Sequence, residues 1–328
     1  VIGYEWLDRL DPPIEREVAD LVASAAAFDQ EMGFSKVTLR RAGGTGSRLF
    51  DPEPRTYHLL TRLTHNRRWP AQPLVTYLRL DVSCVHDTGT AHVVVRPEFR
   101  SLGIATLLFE LLALDTSAGA GWSATGVVSV QAWAHGSHPA AQRMAARFGA
   151  TDSHRLWRLC RPLTGPGLDT SPLPAQAGDV VVRPVSADEP GLAEEVTDLV
   201  AAIRNRVPCS QPRPEPDIRS AQFFVALRKS RGIVGALAVS HDDVAPGVSS
   251  IRTLAIRAAE QGRETALALL ARGLACSRDR EAQIAEIYVN PADEKLVNMC
   301  RTLGFAHDQT DICYTWPPAA STSEGNSR

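Results

Sequence analysis

The sequence predicts an α/β (α+β) chain of two tandem domains, each a mixed, mainly antiparallel sheet flanked by helices. Three observations lead there. Short runs rich in Val, Ile and Leu alternate with longer stretches whose apolar residues recur every three or four positions, the signatures of strands and helices. Residues 162–178, PLTGPGLDTSPLPAQAG, are rich in Pro and Gly and lack any apolar period, so they divide the 328 residues as a linker would. The order of elements before that stretch recurs after it.

Taken in order, a helical period covers about 14–28, and strand-like runs follow at 57–63 and 74–84. A valine-rich strand at about 91–96 leads into a leucine-rich helix over 102–115. A strand at 127–134, a helix over 139–148 and a strand at 154–160 close the first half. The second half reads as a strand at 180–185, a helix over 192–204 and strands at 223–227, 233–240 and 251–256. A helix over 265–277, a strand at 284–289, a helix over 294–303 and a strand at 312–316 complete it. VVVRPEFRSLGIATLL matches LAIRAAEQGRETALAL, and AAQRMAARFGA matches KLVNMCRTLGF, with Gly149 and Gly304 ending the two helices. A repeat of domain size points to duplication. The expected domains are 1–161 and 179–317, with a small polar tail at 318–328.

Composition excludes several function classes. The net charge of −2 and the even spread of Arg give no basic face, so no nucleic-acid partner is expected. Arg67 and Arg68 beside Trp69 read as a solvated loop. Cys84, Cys160, Cys209, Cys276, Cys300 and Cys313 are widely spaced and include no C-x-x-C, which suits reduced thiols in a cytoplasm and no metal site. Glu5, Asp8 and Arg9 argue against a secretory signal. Leu102–Leu114 is too short to span a bilayer and holds Glu110, so no membrane partner is expected. No G-x-S-x-G or H-E-x-x-H occurs, and Gly43, Gly44 and Gly46 in RAGGTGS lack the GK[ST] of a nucleotide loop. The Pro-rich run 207–216 reads as a loop. A monomer or homodimer is expected.

One stretch carries chemistry. Val93, Val94 and Val95 form a strand that Arg96 and Pro97 end. Arg100, Ser101, Leu102, Gly103, Ile104, Ala105 and Thr106 follow, and Leu107, Leu108, Leu111 and Leu112 give a helical apolar stripe. A loop entering a helix in this way aims unpaired backbone N–H groups at one place, and the helix dipole adds positive potential. A pyrophosphate fits there. Gly103 permits close backbone approach, and Arg100 offers a charge-assisted contact.

Arg100, Gly103 and Ala105 in this context resemble the R/Q-x-x-G-x-G/A marker of the GNAT (Gcn5-related N-acetyltransferase) family. AWAHGSHPAAQRMAARFGA is similar to the first half of mycothiol-synthase-like tandem members, and the chain as a whole resembles tandem GNAT proteins such as that of clavulanic acid biosynthesis. The resemblance implies two GNAT-like domains, acetyl-CoA or another acyl-CoA as donor, and a small-molecule amine as acceptor. It implies that the fourth and fifth strands splay around the pantetheine arm, with Val93, Val94 and Val95 lining it and residues 101–106 holding the phosphates.

The second copy departs from the pattern. Gln261, Gly262, Arg263 and Ala266 fit a weaker site, with Leu254 and Ile256 on its strand, but Glu264 stands where Gly103 does, and a carboxylate repels a pyrophosphate. The Tyr with which family members protonate the leaving thiolate is replaced by Ala145 in one half and Cys300 in the other. Cys300 is therefore the candidate acid and Glu286 the candidate carboxylate, while Thr90 and Ser250 occupy the expected base positions. His135 and His138 lie just beyond the fifth strand as further candidate bases. On this reading acetyl-CoA binds in the first domain, and the chemistry leans to the second. A catalytically silent acyl-CoA-binding module and a mycothiol synthase are the alternatives.

Overall fold

The computed structural model describes residues 2–31, 55–64, 72–82, 87–112, 114, 116, 119–165, 176–177, 179–185, 190–204, 221–229, 231–241, 247–260 and 263–317. The readings made for 43–46, 67–69, 207–216, Cys84, Cys209, Gln261 and Gly262 lie outside them.

The first elements are β1 (Ile2–Leu7), α1 (Pro12–Glu31), β2 (Arg55–Leu63), β3 (Leu74–Val82) and β4 (Thr88–Val95). Next come α2 (Ile104–Leu112), β5 (Ser129–Ala134), α3 (Pro139–Arg147) and β6 (Thr151–Pro162). After a two-residue β7 (Gln176–Ala177) the series repeats. β8 (Val180–Pro184), α4 (Pro190–Arg204), β9 (Ala221–Arg228), β10 (Gly232–His241) and β11 (Val248–Ile256) lead to α5 (Arg263–Asp279). β12 (Ile284–Val289), α6 (Glu294–Thr302) and β13 (Ala306–Trp316) end it. The duplication expected from the letters is therefore also one of element order. β1 escaped the pattern because its side chains beyond Ile2 are exposed or half-buried. Its anchor is Trp6, which meets the fully buried Trp122 edge-on at 6.2 Å between ring centroids.

The chain forms two compact units. Unit 1 combines residues up to Arg155 with those from Asp311 onward, and unit 2 takes Leu156–Thr310. In unit 1, β1, β2, β3 and β4 pair antiparallel in sequence order, and β4 pairs parallel with β5. The last strand against β5 is β13, with Ile312 opposite Ala134 and Trp316 opposite Val130. In unit 2, β7 to β11 form the same antiparallel series, β12 lies parallel to β11, and β6 closes the sheet with Trp157 opposite Val289. The strand expected to close the first half thus serves unit 2, and the last strand of the chain serves unit 1. Either strand satisfies its backbone and buries one apolar face in either sheet, so periodicity does not select the partner.

The sheet of unit 1 has two unlike faces. Leu78, Leu80, Val82, Ala91, Val130 and Ala134 pack beneath α2 with Ile104, Leu108, Phe109 and Leu112. On the opposite face Leu60, Leu74 and Tyr77 bury Val18, Leu21 and Val22 of α1. The leucine stripe foreseen on α2 is only half a core. Leu108 and Leu112 are buried, whereas Leu107, Leu111 and the loop residue Leu102 are exposed. No helix among the described residues is long and apolar enough to cross a membrane.

Candidate functional site

The parallel pairing of β4 with β5 covers only Thr88–Ala91 against Ser129–Ala132. β4 continues to Val95 and stays paired with β3 along that whole length. The two parallel strands thus form a fork, with His92–Val95 on one arm. Val93 and Val95 turn toward α2, and Val94 turns toward α1. β11 and β12 fork in the same way after Ile251 and Ile287. There, one extra residue, Arg252, stands between Ile251 and Thr253 opposite the consecutive residues Val239 and Ala238, a bulge that bends the strand.

Beyond β4 a turn of 3₁₀ helix over Pro97–Phe99 leads into the loop. Ser101 has φ +62° and Gly103 has φ +77°, so the chain passes through two left-handed residues before α2 begins. Leu107 N–H donates to the Gly103 carbonyl at 2.9 Å, which makes Gly103 the residue capping the helix. The amides of Ile104, Ala105 and Thr106 are those that helix geometry leaves without an intrahelical acceptor. A Cβ placed on Gly103 would meet nothing within 4 Å. The glycine is therefore required by its φ and leaves open space over the helix end, where a phosphate fits.

Arg100 has a different part from the one foreseen. Its Nε donates to the Val95 carbonyl at 3.1 Å, and both terminal nitrogens donate to the Asp29 carboxylate of α1. Its guanidinium also lies 5.2 Å from the Phe28 ring centroid. Arg100 ties the end of β4 to α1 rather than reaching toward a phosphate.

Sequence reasoning missed a neighbouring arginine, although the repeat held the signal. Arg96 and Arg257 end the matching strands. Arg96 Nε donates to the Leu74 carbonyl at 3.1 Å and Nη2 to Asp20 of α1 at 3.0 Å. Arg257 Nε donates to the Ile233 carbonyl at 2.6 Å and Nη2 to Glu195 of α4 at 3.3 Å. Both copies thus fasten the root of the loop to the same two elements.

The second loop is built differently. α5 begins at Arg263, so Glu264 stands inside its first turn and supplies the negative charge that a helix start favours. The Glu264 side chain is exposed and lies 4.0 Å from Arg228. Glu260, at the position of the buried Phe99, is itself buried and accepts from Arg231 at 2.5 Å. Leu254 and Ile256 pack on the core of unit 2, and Ala266 is buried there.

The candidate acid and carboxylate of the second half are both buried. Cys300 is wholly buried, and burial pushes its thiol up to about 12. Glu286 is 1% exposed. It accepts from the Ser250 hydroxyl and, at 2.8 Å, from Arg158 Nε. Arg158 also donates to Asp308 at 3.0 Å. Burial opposes the charge on Arg158, but Glu286, Cys160 and Tyr288 together outweigh it and hold the guanidinium above its ordinary range. His138 is the cap of α3, its Nδ1 accepting from Ala140 N–H at 3.1 Å. Among the described residues no group of His, Cys, Asp and Glu could hold a metal ion.

No family model matches the chain. The mycothiol acetyltransferase of Thermobispora bispora is 31% identical over 244 residues, which are 70% of this chain and 76% of that protein. The chain belongs to the mycothiol acetyltransferase family. The family member from Salinispora arenicola is 28% identical over 320 residues, 94% of each chain. The tandem GNAT protein from the clavulanic acid biosynthesis pathway shares the fold, with a TM-score of 0.67 over 96% of this chain and 98% of that one, at 16% identity. Membership of the mycothiol acetyltransferase family makes the chain a tandem GNAT protein and an N-acetyltransferase with an acyl-CoA donor.

Proposed function

We propose that the chain transfers an acetyl group from acetyl-CoA held in unit 1 to the amine of a small molecule. The observation that carries this is the Gly103-capped start of α2 opening onto the β4–β5 fork. The amides of residues 104–106 and the left-handed loop at Ser101–Gly103 hold the pyrophosphate. The arm of His92–Val95 lines the pantetheine through its backbone. The Val95 carbonyl is already taken by Arg100, so Arg100 positions the arm and does not bind the ligand.

Unit 2 keeps the fork but offers a helix start that carries its own carboxylate. It binds coenzyme A more weakly or not at all, and Leu254, Ile256 and Ala266 serve its core. The relatives' name makes the cysteinyl pseudodisaccharide precursor of mycothiol the first acceptor to try, ahead of small amines of secondary metabolism.

Acetyl-CoA supplied with that precursor and a panel of primary amines should release free thiol and give an amide. Native mass spectrometry should count one tightly held acetyl-CoA, lost in Gly103→Glu. A chain that binds no acetyl-CoA, or whose Gly103→Glu variant binds it unchanged, refutes the site.

A further inference from the structure

We infer that His135, held by the buried carboxylate of Asp311, is the proton acceptor of the transfer, and that the transfer takes place in unit 1. The assignment rests on the reading of unit 1 as the acyl-CoA site.

The geometry begins with strand alternation. Ala91 and Val93 of β4, Ala132 and Ala134 of β5, and Ile312 and Tyr314 of β13 all belong to the core beneath α2. Their strand neighbours His92, Trp133 and Asp311 therefore lie on the other face. Leu80 and Val82 place Asp81 there too. The polar groups beside the fork thus gather on one face, away from the apolar core.

His135 follows the last residue of β5, and Asp311 precedes the Ile312 that pairs with Ala134. Their side chains meet, with His135 Nδ1 2.9 Å from Asp311 Oδ2. Asp311 is 0% exposed, and its second oxygen accepts Gly136 N–H at 3.0 Å. An ionised carboxylate only accepts, so Nδ1 carries the proton and Nε2 of the neutral ring is the basic nitrogen. The His135 side chain is 17% exposed, and His135 follows the strand that forms one arm of the fork. A buried carboxylate that fixes the tautomer and orients the ring is what a general base needs.

The surroundings suit an incoming ammonium. His92, on β4, stands 3.7 Å from Asp81 of β3, which is itself held by Arg79 and Thr56. Burial pulls the His92 imidazole down to about 4, helped by Arg79 and His135 and opposed by Asp81, so His92 adds no positive charge at neutral pH. In the duplicate, Val289 opposite Trp157 takes the place of Ala134 opposite Ile312. The counterparts of His135 and Asp311 are then Asn290 and Leu156, and the Asn290 side chain caps a turn by accepting Ala292 N–H at 2.9 Å. Unit 2 has no equivalent pair among its described residues.

The step balances. The acceptor ammonium gives one proton to Nε2 of His135, and the freed amine attacks the thioester carbonyl. The C–N bond forms, the C–S bond breaks, and the leaving coenzyme A thiolate takes the second proton shed by the nitrogen. His135 returns its proton to solvent.

The test uses the full chain, acetyl-CoA and the best amine from the panel above. His135→Gln should lower kcat about 100-fold or more at pH 7 while acetyl-CoA stays bound. The deficit should shrink as rising pH deprotonates the amine without help. Asp311→Asn should lower kcat while leaving the KM for acetyl-CoA unchanged, because the ring loses the partner that fixes its tautomer. Asn290→Ala should transfer as wild type does. If the wild type transfers and His135→Gln transfers equally well, or Asn290→Ala costs as much, or Asp311→Asn leaves kcat unchanged, the assignment falls and the cofactor site stands. A wild type that holds acetyl-CoA but transfers to no amine overturns the assignment and the transferase reading together and leaves the cofactor site standing.

Discussion

At the scale of single residues, Gly103 and His92 show two different ways in which a side chain is constrained. Gly103 has room for a Cβ but the wrong φ for one, so Gly103→Ala should cost about 1 kcal/mol through backbone strain alone. Denaturant melts should show that loss with acetyl-CoA still bound, which separates the backbone requirement from the steric and charge conflict of Gly103→Glu. His92 is constrained by where it is buried. Its folded imidazole titrates near 4 against 6.5 for an ordinary histidine. The unfolded chain therefore binds its proton first as pH falls. The stability that His92 lends is complete above about pH 6.5 and is lost as pH drops toward 4, to the extent of about 3 kcal/mol. His92→Gln should flatten the fall in melting temperature across that window, and an unchanged slope would show that the ring does not resist protonation. Neither constraint is written in composition. The glycine was legible because its neighbours placed it at a helix start, whereas His92 needed the register that sets it beside Asp81.

At the scale of elements, periodicity found every α-helix and most strands among the described residues, because α1 and α4 bury one face, α5 runs apolar for longer than a strand, and β3, β9 and β10 bury nearly continuous apolar runs. It failed where burial is thin, as in β1. It also misjudged polar residues on core strands. Glu286 on β12 was a candidate carboxylate because a charge amid apolar neighbours needs a reason. That reason is Arg158 on β6, the strand paired beside it. A sequence does not announce which strand lies alongside, so the ion pair was hidden while the charge was plain. Removing Glu286 leaves the half-buried Arg158 to its exposed partner Asp308 and takes the acceptor from the buried Ser250 hydroxyl. Glu286→Ala should thus cost about 3 kcal/mol of stability, with acetyl transfer per folded molecule unchanged. Replacing Arg158 by Met together with Glu286 by Leu should recover much of the loss. A stable Glu286→Ala protein that no longer transfers would return Glu286 to the chemistry.

At the scale of the whole molecule, the two sequence halves and the two compact units are not the same objects. Residues 311–316 belong to unit 1 although the 155 residues Leu156–Thr310 lie between Arg155 and Asp311. Those six residues give β5 its outer neighbour, add Ile312, Tyr314 and Trp316 to the core beneath α2, and place Asp311 against His135. Burying the two aromatic side chains alone is worth about 2 kcal/mol each. Without the strand, β5 would present an unpaired edge and the fork would lose the support of one arm. A chain ending at Thr310 should therefore lose acetyl-CoA binding in unit 1, even though it retains Gly103 and every residue of the loop. A chain ending at Pro317 should keep it. Residues 1–161 expressed alone should fail in the same way and recover when a peptide spanning 306–317 is supplied. Native mass spectrometry of the three chains decides the matter. If the chain ending at Thr310 holds acetyl-CoA as firmly as the full one, the first half is self-sufficient and the exchanged strand is not needed for the site.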